Sequence, residues 1–214
     1  MLPYRETVTR RAVGERKYVQ YFNGRGHFAH LRVELSPRPG GLPSVTVEEG
    51  LQLPPDCHHA ARAALFQKLH RGPVHGFPLI GLEVRLLGAT HLPPYSDPES
   101  FAAVARMALD EAMIHAAPEI VEPWIGLRLR VEGHALAATL AKLTEFLGCA
   151  RARISLGDHF VLDLEIPASI EERLASALGL KHPQTYPLEE SQRYRPLAGP
   201  LDRQTAQDAL GDWT

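Results

Sequence analysis

The side chains best able to do chemistry in this chain are eleven histidines and two cysteines. Cys57-His58-His59 opens a helical pattern, and His70 and His75 lie near its end. Neighbouring side chains on a helix point about 100° apart, so His58 and His59 make a poor ligand pair. His27 and His30 stand three residues apart on a strand and face opposite sides. No metal site is expected from them. Cys57 beside His58 has the composition of a nucleophile with its base, yet nothing marks the third, orienting group such a pair needs. No Gly-Lys dipeptide occurs, so there is no Walker A loop to cradle phosphates. No serine sits in a Gly-x-Ser-x-Gly elbow. No Cys-x-x-Cys pair offers zinc or redox work. Cys57 and Cys149 are expected to remain reduced thiols. The chain is therefore not expected to be an enzyme or to hold a cofactor.

Charge is the next resource. With a net charge of −2 the whole molecule is not an obvious polyanion binder. From Tyr4 to Arg32, however, Arg5, Arg10, Arg11, Arg16, Lys17, Arg25 and Arg32 face only Glu6 and Glu15. That local cationic surplus points weakly to RNA. Across the whole chain arginine outnumbers lysine nineteen to four. The N-terminus carries no apolar run of a signal peptide. No stretch approaches the roughly 20 apolar residues of a membrane span. A cytoplasmic location is expected.

The elements that must position any site are read from periodicity. Ala29, Leu31, Val33 and Leu35 alternate with His30, Arg32 and Glu34, which predicts a half-buried strand over 29–35. Ser44 to Glu48 reads as another strand. Pro54-Pro55-Asp56 announces a helix capped by Asp56, with Ala61, Leu65 and Leu69 on one face. Ile80, Leu82, Val84 and Leu86 form the next strand, and Gly88 to Tyr95 a loop. Ser96-Asp97-Pro98-Glu99 has the spacing of a capping box. It precedes a helix with Phe101, Val104, Ala105, Ala108 and Ala112 on its apolar face. Pro118 and Pro123 bracket an extended linker, taken as a domain boundary. Beyond it come a strand over Ile125–Val131, a helix through Leu136, Leu140, Leu143 and Leu147 ending at Gly148, and a strand from Ala150 to Leu156. Gly157-Asp158 is a hairpin turn into a strand from Phe160 to Ile166. Ser169 and Glu172 suggest a second capping box, Gly179 ends that helix, and Gln184–Glu189 is an edge strand because Pro187 lacks a donor. The order β-α-β-β-α-β is ferredoxin-like. From Ala198 onward there is no clear core, with a helical turn or two over Thr205–Leu210.

Several blocks resemble a known family. Tyr4-Arg5-Glu6-Thr7 is similar to the Tyr-Arg-Glu-Thr that opens domain IV of the translational GTPase elongation factor G. Gly24-Arg25-Gly26-His27-Phe28-Ala29-His30 resembles that family's Gly-Arg-Gly-Gln-Tyr-Gly-His. Gly72-Pro73-Val74-His75-Gly76-Phe77-Pro78 resembles its Gly-Pro-Leu-x-Gly-Tyr-Pro. Phe101, Ala105, Met107, Ala108, Glu111 and Ala112 match its helix, and Pro118 to Pro123 its Pro-Val-Leu-Leu-Glu-Pro junction. The resemblance implies an α+β protein of two domains: residues 1–123 as a split β-α-β domain IV, residues 124–197 as a ferredoxin-like domain V, and 198–214 as a tail. The GTPase domain of the family is not expected in this chain.

The resemblance also implies a site. Domain IV reaches the decoding region of the small ribosomal subunit with two tip loops, here Tyr21 to Arg25 and Ala89 to Tyr95. Candidate RNA-binding residues are Tyr21, Phe22, Asn23, Gly24, Arg25, Thr90, His91, Leu92 and Tyr95. Tyr21 and Phe22 could stack on bases, worth about 1–3 kcal/mol each. Arg25 could pair with phosphate. The second loop differs from the family's Ser-Tyr-His-Asp-Val-Asp-Ser: both aspartates are replaced, by Pro93 and Tyr95, and Leu92 stands at the histidine. In the second domain, Phe146-Leu147-Gly148 replaces Arg-Arg-Gly and Lys181-His182-Pro183 replaces Lys-Gly-Arg. The implied partner is the ribosome, through ribosomal RNA or the mRNA–tRNA duplex, with no DNA and no membrane. The alternative is a protein–protein interaction module, including a partner of a separately encoded GTPase. A histidine-based enzyme ranks last.

Overall fold

The computed structural model of the protein describes residues 4–22, 24–146, 151–156, 160–180, 183–189 and 193–197. The chain divides into two compact units, Arg5–Ile120 and another built from Val121 onward. Both mix helices and sheet in the α+β manner.

The first unit runs β1 (Arg5–Val8), β2 (Ala12–Phe22), β3 (Arg25–Pro37), β4 (Ser44–Val47), α1 (Pro55–Leu69), β5 (Leu82–Thr90) and α2 (Pro98–His115). Ala29, Leu31, Val33 and Leu35 are wholly buried, and that period of two makes β3 a central strand. It pairs antiparallel with β2 and β5, and β4 pairs parallel with β5. The sheet order is β2-β3-β5-β4. A parallel pair needs a long crossover, which α1 supplies. Helix α2 packs on β2, β3 and α1. Phe101, Val104, Ala105, Ala108, Leu109 and Ala112 are its buried face. The contact with β2 is unusually close: a Cβ on Gly14 would stand 1.9 Å from the carbonyl oxygen of Ala108. Only glycine lets that helix backbone approach the strand.

Two buried carboxylates tie this unit together. Glu6 is fully buried on β1. Its Oε2 accepts the backbone N–H of Val74 at 2.8 Å. Its Oε1 accepts those of His75, Gly76 and Phe77 at 2.8, 2.9 and 3.0 Å. A Cβ on Gly72 would fall 2.2 Å from Glu6 Oε2, so the loop can close on the carboxylate only around glycine. Glu34 on β3 is buried between Arg11 and Arg85, which both donate to it. Charge-assisted bonds of this kind are about twice as strong as neutral ones.

The second unit runs β6 (Pro118–Val131), α3 (Leu136–Thr144), β7 (Arg151–Leu156), β8 (Phe160–Pro167), α4 (Glu171–Leu178), β9 (Gln184–Pro187) and β10 (Tyr194–Pro196). β6 pairs antiparallel with β8 and β9, and β8 with β7. The resulting order β9-β6-β8-β7, with the two helices as crossovers, is that of a ferredoxin-like fold. Leu127, Leu129, Val131, Leu143, Phe146, Leu162, Leu164, Ile166 and Leu174 form its core. A Cβ on Gly126 would lie 2.2 Å from the ring of Tyr186, its partner in the β6–β9 register. β10 adds to the other end of β6, where Arg195 stacks 4.3 Å over the Trp124 ring and donates to Glu165.

The structure corrects several readings. Asp56 is not a cap: Pro54 occupies that position, and Asp56 lies in the first turn of α1. The strand before the second tip loop begins at Leu82 rather than Ile80, and it continues through Thr90, so Gly88–Thr90 are strand, not loop. Helix α2 is capped by Asp97, whose side chain accepts the Ser100 N–H; Ser96 and Glu99 form no capping box. Ser169 does not cap α4 either, and donates instead to buried Glu122 at 3.0 Å. The stretch Pro118–Pro123 is the start of β6 rather than a linker. The last strand stops at Pro187, and β10 follows it. Gly179 ends α4 in the left-handed conformation at φ 69°, as expected. Gly148, Gly157-Asp158 and the tail from Ala198 lie outside the described residues.

Candidate nucleic-acid interface

The hairpin β2–β3 brings Tyr21 opposite Gly26 and Phe22 opposite Arg25. The turn between them needs a left-handed residue, and Gly24 supplies it at φ 74°. Asn23 lies outside the described residues. Beside this hairpin runs the connection from β5 to α2. It folds on itself: the N–H groups of Tyr95 and Ser96 both donate to the carbonyl of Leu92. Leu92 N–H in turn donates to Ser96 Oγ at 2.9 Å.

Three bonds then lock loop to hairpin. Phe28 N–H donates to Tyr95 O at 2.8 Å. Ser96 Oγ donates to Phe28 O at 2.7 Å. Arg25 Nη2 donates to Pro94 O at 3.2 Å. The Tyr95 ring lies over Gly26, where a Cβ would come within 3.0 Å of its Cδ1. A brace stands behind them, with His27 Nδ1 2.7 Å from the Oδ2 of Asp97, the α2 cap. The two segments therefore form one end of the unit.

The candidates divide within it. Tyr21 is 79% exposed, Leu92 47% and Tyr95 46%. Pro93 and Pro94 are also exposed. His91 instead turns inward and stacks on buried Phe101, with ring centroids 6.3 Å apart. Thr90 is tied to His30 Nδ1 at 3.0 Å, and His30 Nε2 lies 2.9 Å from Glu15. Arg25 is exposed but already shares its guanidinium with Pro94. The end of the unit is thus aromatic and apolar, and among its described residues Arg25 supplies the cation.

Lys17, counted above only in the cationic surplus, and Val19 and Phe28 are not among the sequence candidates for the site. They face away from the helices on β2 and β3, with Val19 opposite Phe28 and the Lys17 ammonium 5.7 Å from the Phe28 ring. The signal was present as alternation, since Lys17, Val19 and Tyr21 share a strand face.

Other chemistry finds little support. Burial pushes the Cys57 thiol up, and the charges of Asp97 and Asp56 push the same way. A thiol held protonated is a poor nucleophile. Among the described residues no three His, Cys, Asp or Glu side chains gather as a metal site. No helix among them is long and apolar enough to cross a membrane.

A sheet with two helices on one face and two loops joined at one end defines an α+β module. Residues 2–117 match the sequence model of "Elongation factor G, domain IV". The match takes in more than half of the chain, which belongs to the elongation factor G domain IV family. The matched domain is non-catalytic. The chain is also 26% identical over 170 residues to Elongation factor G of Thermotoga neapolitana, covering 78% of this chain. It spans only 24% of that protein. A crystal structure of a protein from Thermus thermophilus matches 99% of the chain with a TM-score of 0.75 at 20% identity, a likeness of fold. The chain spans 32% of that structure.

Proposed function

We propose that this chain is a ribosome-associated protein of translation that binds RNA with the joined tip of its first unit and does not itself hydrolyse GTP. In this reading residues 1–123 act as domain IV and residues 124–197 as domain V, with 198–214 as a tail. The observation that carries it is the joining of the two tip segments through Arg25–Pro94 and Phe28–Tyr95. Loops held together by one main-chain bond and one guanidinium bond present Tyr21, Leu92 and Tyr95 as one surface. A tip of this composition supplies stacking more than charge, and further cations, Lys17 and Arg32, stand on the adjoining sheet face.

The test is co-sedimentation with separated ribosomal subunits across a salt series. If Arg25, Lys17 and Arg32 each neutralise one phosphate, the log–log salt slope should be about −2 to −3. Tyr21→Ala combined with Arg25→Ala should weaken pelleting at every salt concentration. Failure to pellet with either subunit at low salt sinks the proposal. A stoichiometric protein partner, such as a separate GTPase, in the absence of ribosome binding would establish the interaction-module reading instead.

A further inference from the structure

The open face of the first sheet continues the chemistry of the tip down β2 and β3. Residues facing away from the helices alternate along both strands, about 7 Å apart on each. From the tip downward the register pairs Tyr21 with Gly26, Val19 with Phe28, Lys17 with His30, and Glu15 with Arg32. The empty position at Gly26 is filled by the Tyr95 ring. Three aromatic rings, Tyr21, Tyr95 and Phe28, thus share one end of this face. Val19 among them is 66% exposed, an apolar side chain with no core to join.

The charges on the same face are unevenly displayed. Glu34 is buried between Arg11 and Arg85, whose side chains remain 64% and 41% exposed. Glu15 is engaged by His30 at 2.9 Å and by Arg32 at 4.0 Å. Glu83, the other carboxylate here, accepts from Thr46 at the far end. Beside the rings solvent thus meets the cations Lys17, Arg11, Arg32 and Arg85 against the half-exposed carboxylate of Glu15, a cationic surplus. An anionic partner with flat apolar parts is complementary to both.

We infer that this open face binds single-stranded RNA, with two or three unpaired bases stacked on Tyr21, Tyr95 and Phe28 and the phosphates met by Lys17, Arg32 and Arg11. A duplex hides its base faces inside the stack, so exposed rings gain nothing from it; unpaired bases offer those faces freely. Lys17 suits the role because its flexible stem lets the ammonium leave Phe28 for a phosphate. The inference deepens the RNA-binding reading, on which it rests, and extends it from the tip to the sheet.

Fluorescence anisotropy with a labelled mixed-sequence oligoribonucleotide, alone and annealed to its complement, tests it. The single strand should bind at least about tenfold more tightly than the duplex, the equivalent of roughly one stacked base. Tyr21→Ala should weaken single-strand binding by about fivefold to a hundredfold, while Tyr21→Phe keeps it, as stacking requires. Gly26→Ala displaces the Tyr95 ring without removing it and should also weaken binding. Lys17→Ala should lower the salt slope by about 0.7. Circular dichroism checks that each variant is folded; Tyr21 and Lys17 lie on the open face, so their replacement leaves the core intact. Equal or tighter duplex binding overturns the inference, as does single-strand affinity unchanged by Tyr21→Ala. Ribosome pelleting without oligonucleotide binding sinks this inference alone, and oligonucleotide binding without pelleting sinks only the ribosomal assignment.

Discussion

Glu6 ties the first strand of the first unit to the loop 72–77. Its carboxylate satisfies four backbone N–H groups that the loop 72–77 could not otherwise pair. Removing an acceptor from a buried donor costs about 1–3 kcal/mol per stranded group, relieved in part as the loop relaxes. Glu6→Ala should therefore destabilise the unit by about 3 kcal/mol or more, and Glu6→Gln by less because one oxygen remains. A lower urea midpoint with an unchanged slope would show it, and an unmoved midpoint would refute it. The sequence offers Tyr-Arg-Glu-Thr and Gly-Pro-Val-His-Gly-Phe-Pro as separate blocks. That one grips the other is invisible there, because the partners stand 68 to 71 residues apart. His91 was misleading in the opposite way: its type suits RNA, but only the fold shows it stacked on Phe101.

Helix α2 shows how an element is set by its first residue. Burial pushes the Asp97 carboxyl up, but the Ser100 N–H, the Ser100 hydroxyl and His27 together hold it below the usual carboxylate range. A lowered folded value means stability present above the unfolded carboxylate pKa and lost as pH falls through the folded one. Asp97→Ala should cost about 1 kcal/mol at neutral pH and flatten the acid limb of unfolding. Equilibrium denaturation between neutral pH and strong acid, followed by tyrosine fluorescence, would test both. The helix itself was legible from its apolar spacing, as were β3 and β8, whose alternating residues are buried. β2 was not. Its core face is Ala12, Gly14, Arg16 and Tyr18, while Val13, Val19 and Tyr21 point to solvent, so its apolar alternation runs against its burial. β10 was missed because three residues carry no period.

At the scale of the whole molecule each unit carries a carboxyl that burial raises, Glu119 in the first and Glu122 in the second, opposite in sense to Asp97. Burial raises the Glu122 carboxyl, with the Ser169 hydroxyl opposing. A raised acid destabilises its unit when ionised, and this penalty fades as pH falls through the folded value. Glu122→Gln should therefore raise the midpoint of the second unit at neutral pH and remove its gain in mild acid. Trp124 stands on β6 in that unit, so its emission, read in a Trp213→Phe background, reports that unit separately. A net charge of −2 conceals these differences, just as it conceals the cations on the open face.

The Glu6 contact has a further meaning. The loop 72–77 is an anion receptor, and β1 is its guest, held also by main-chain bonds to Pro78 and Ile80 and by the burial of Val8. A chain beginning at Ala12 would keep the four-stranded sheet and both helices of its unit but leave that receptor empty. A free peptide spanning the segment before Arg10 should then act as its ligand and restore stability in proportion to its concentration. The same peptide with Glu6→Gln should do so poorly. Separating the host from its guest in this way would make the unit's folding titratable.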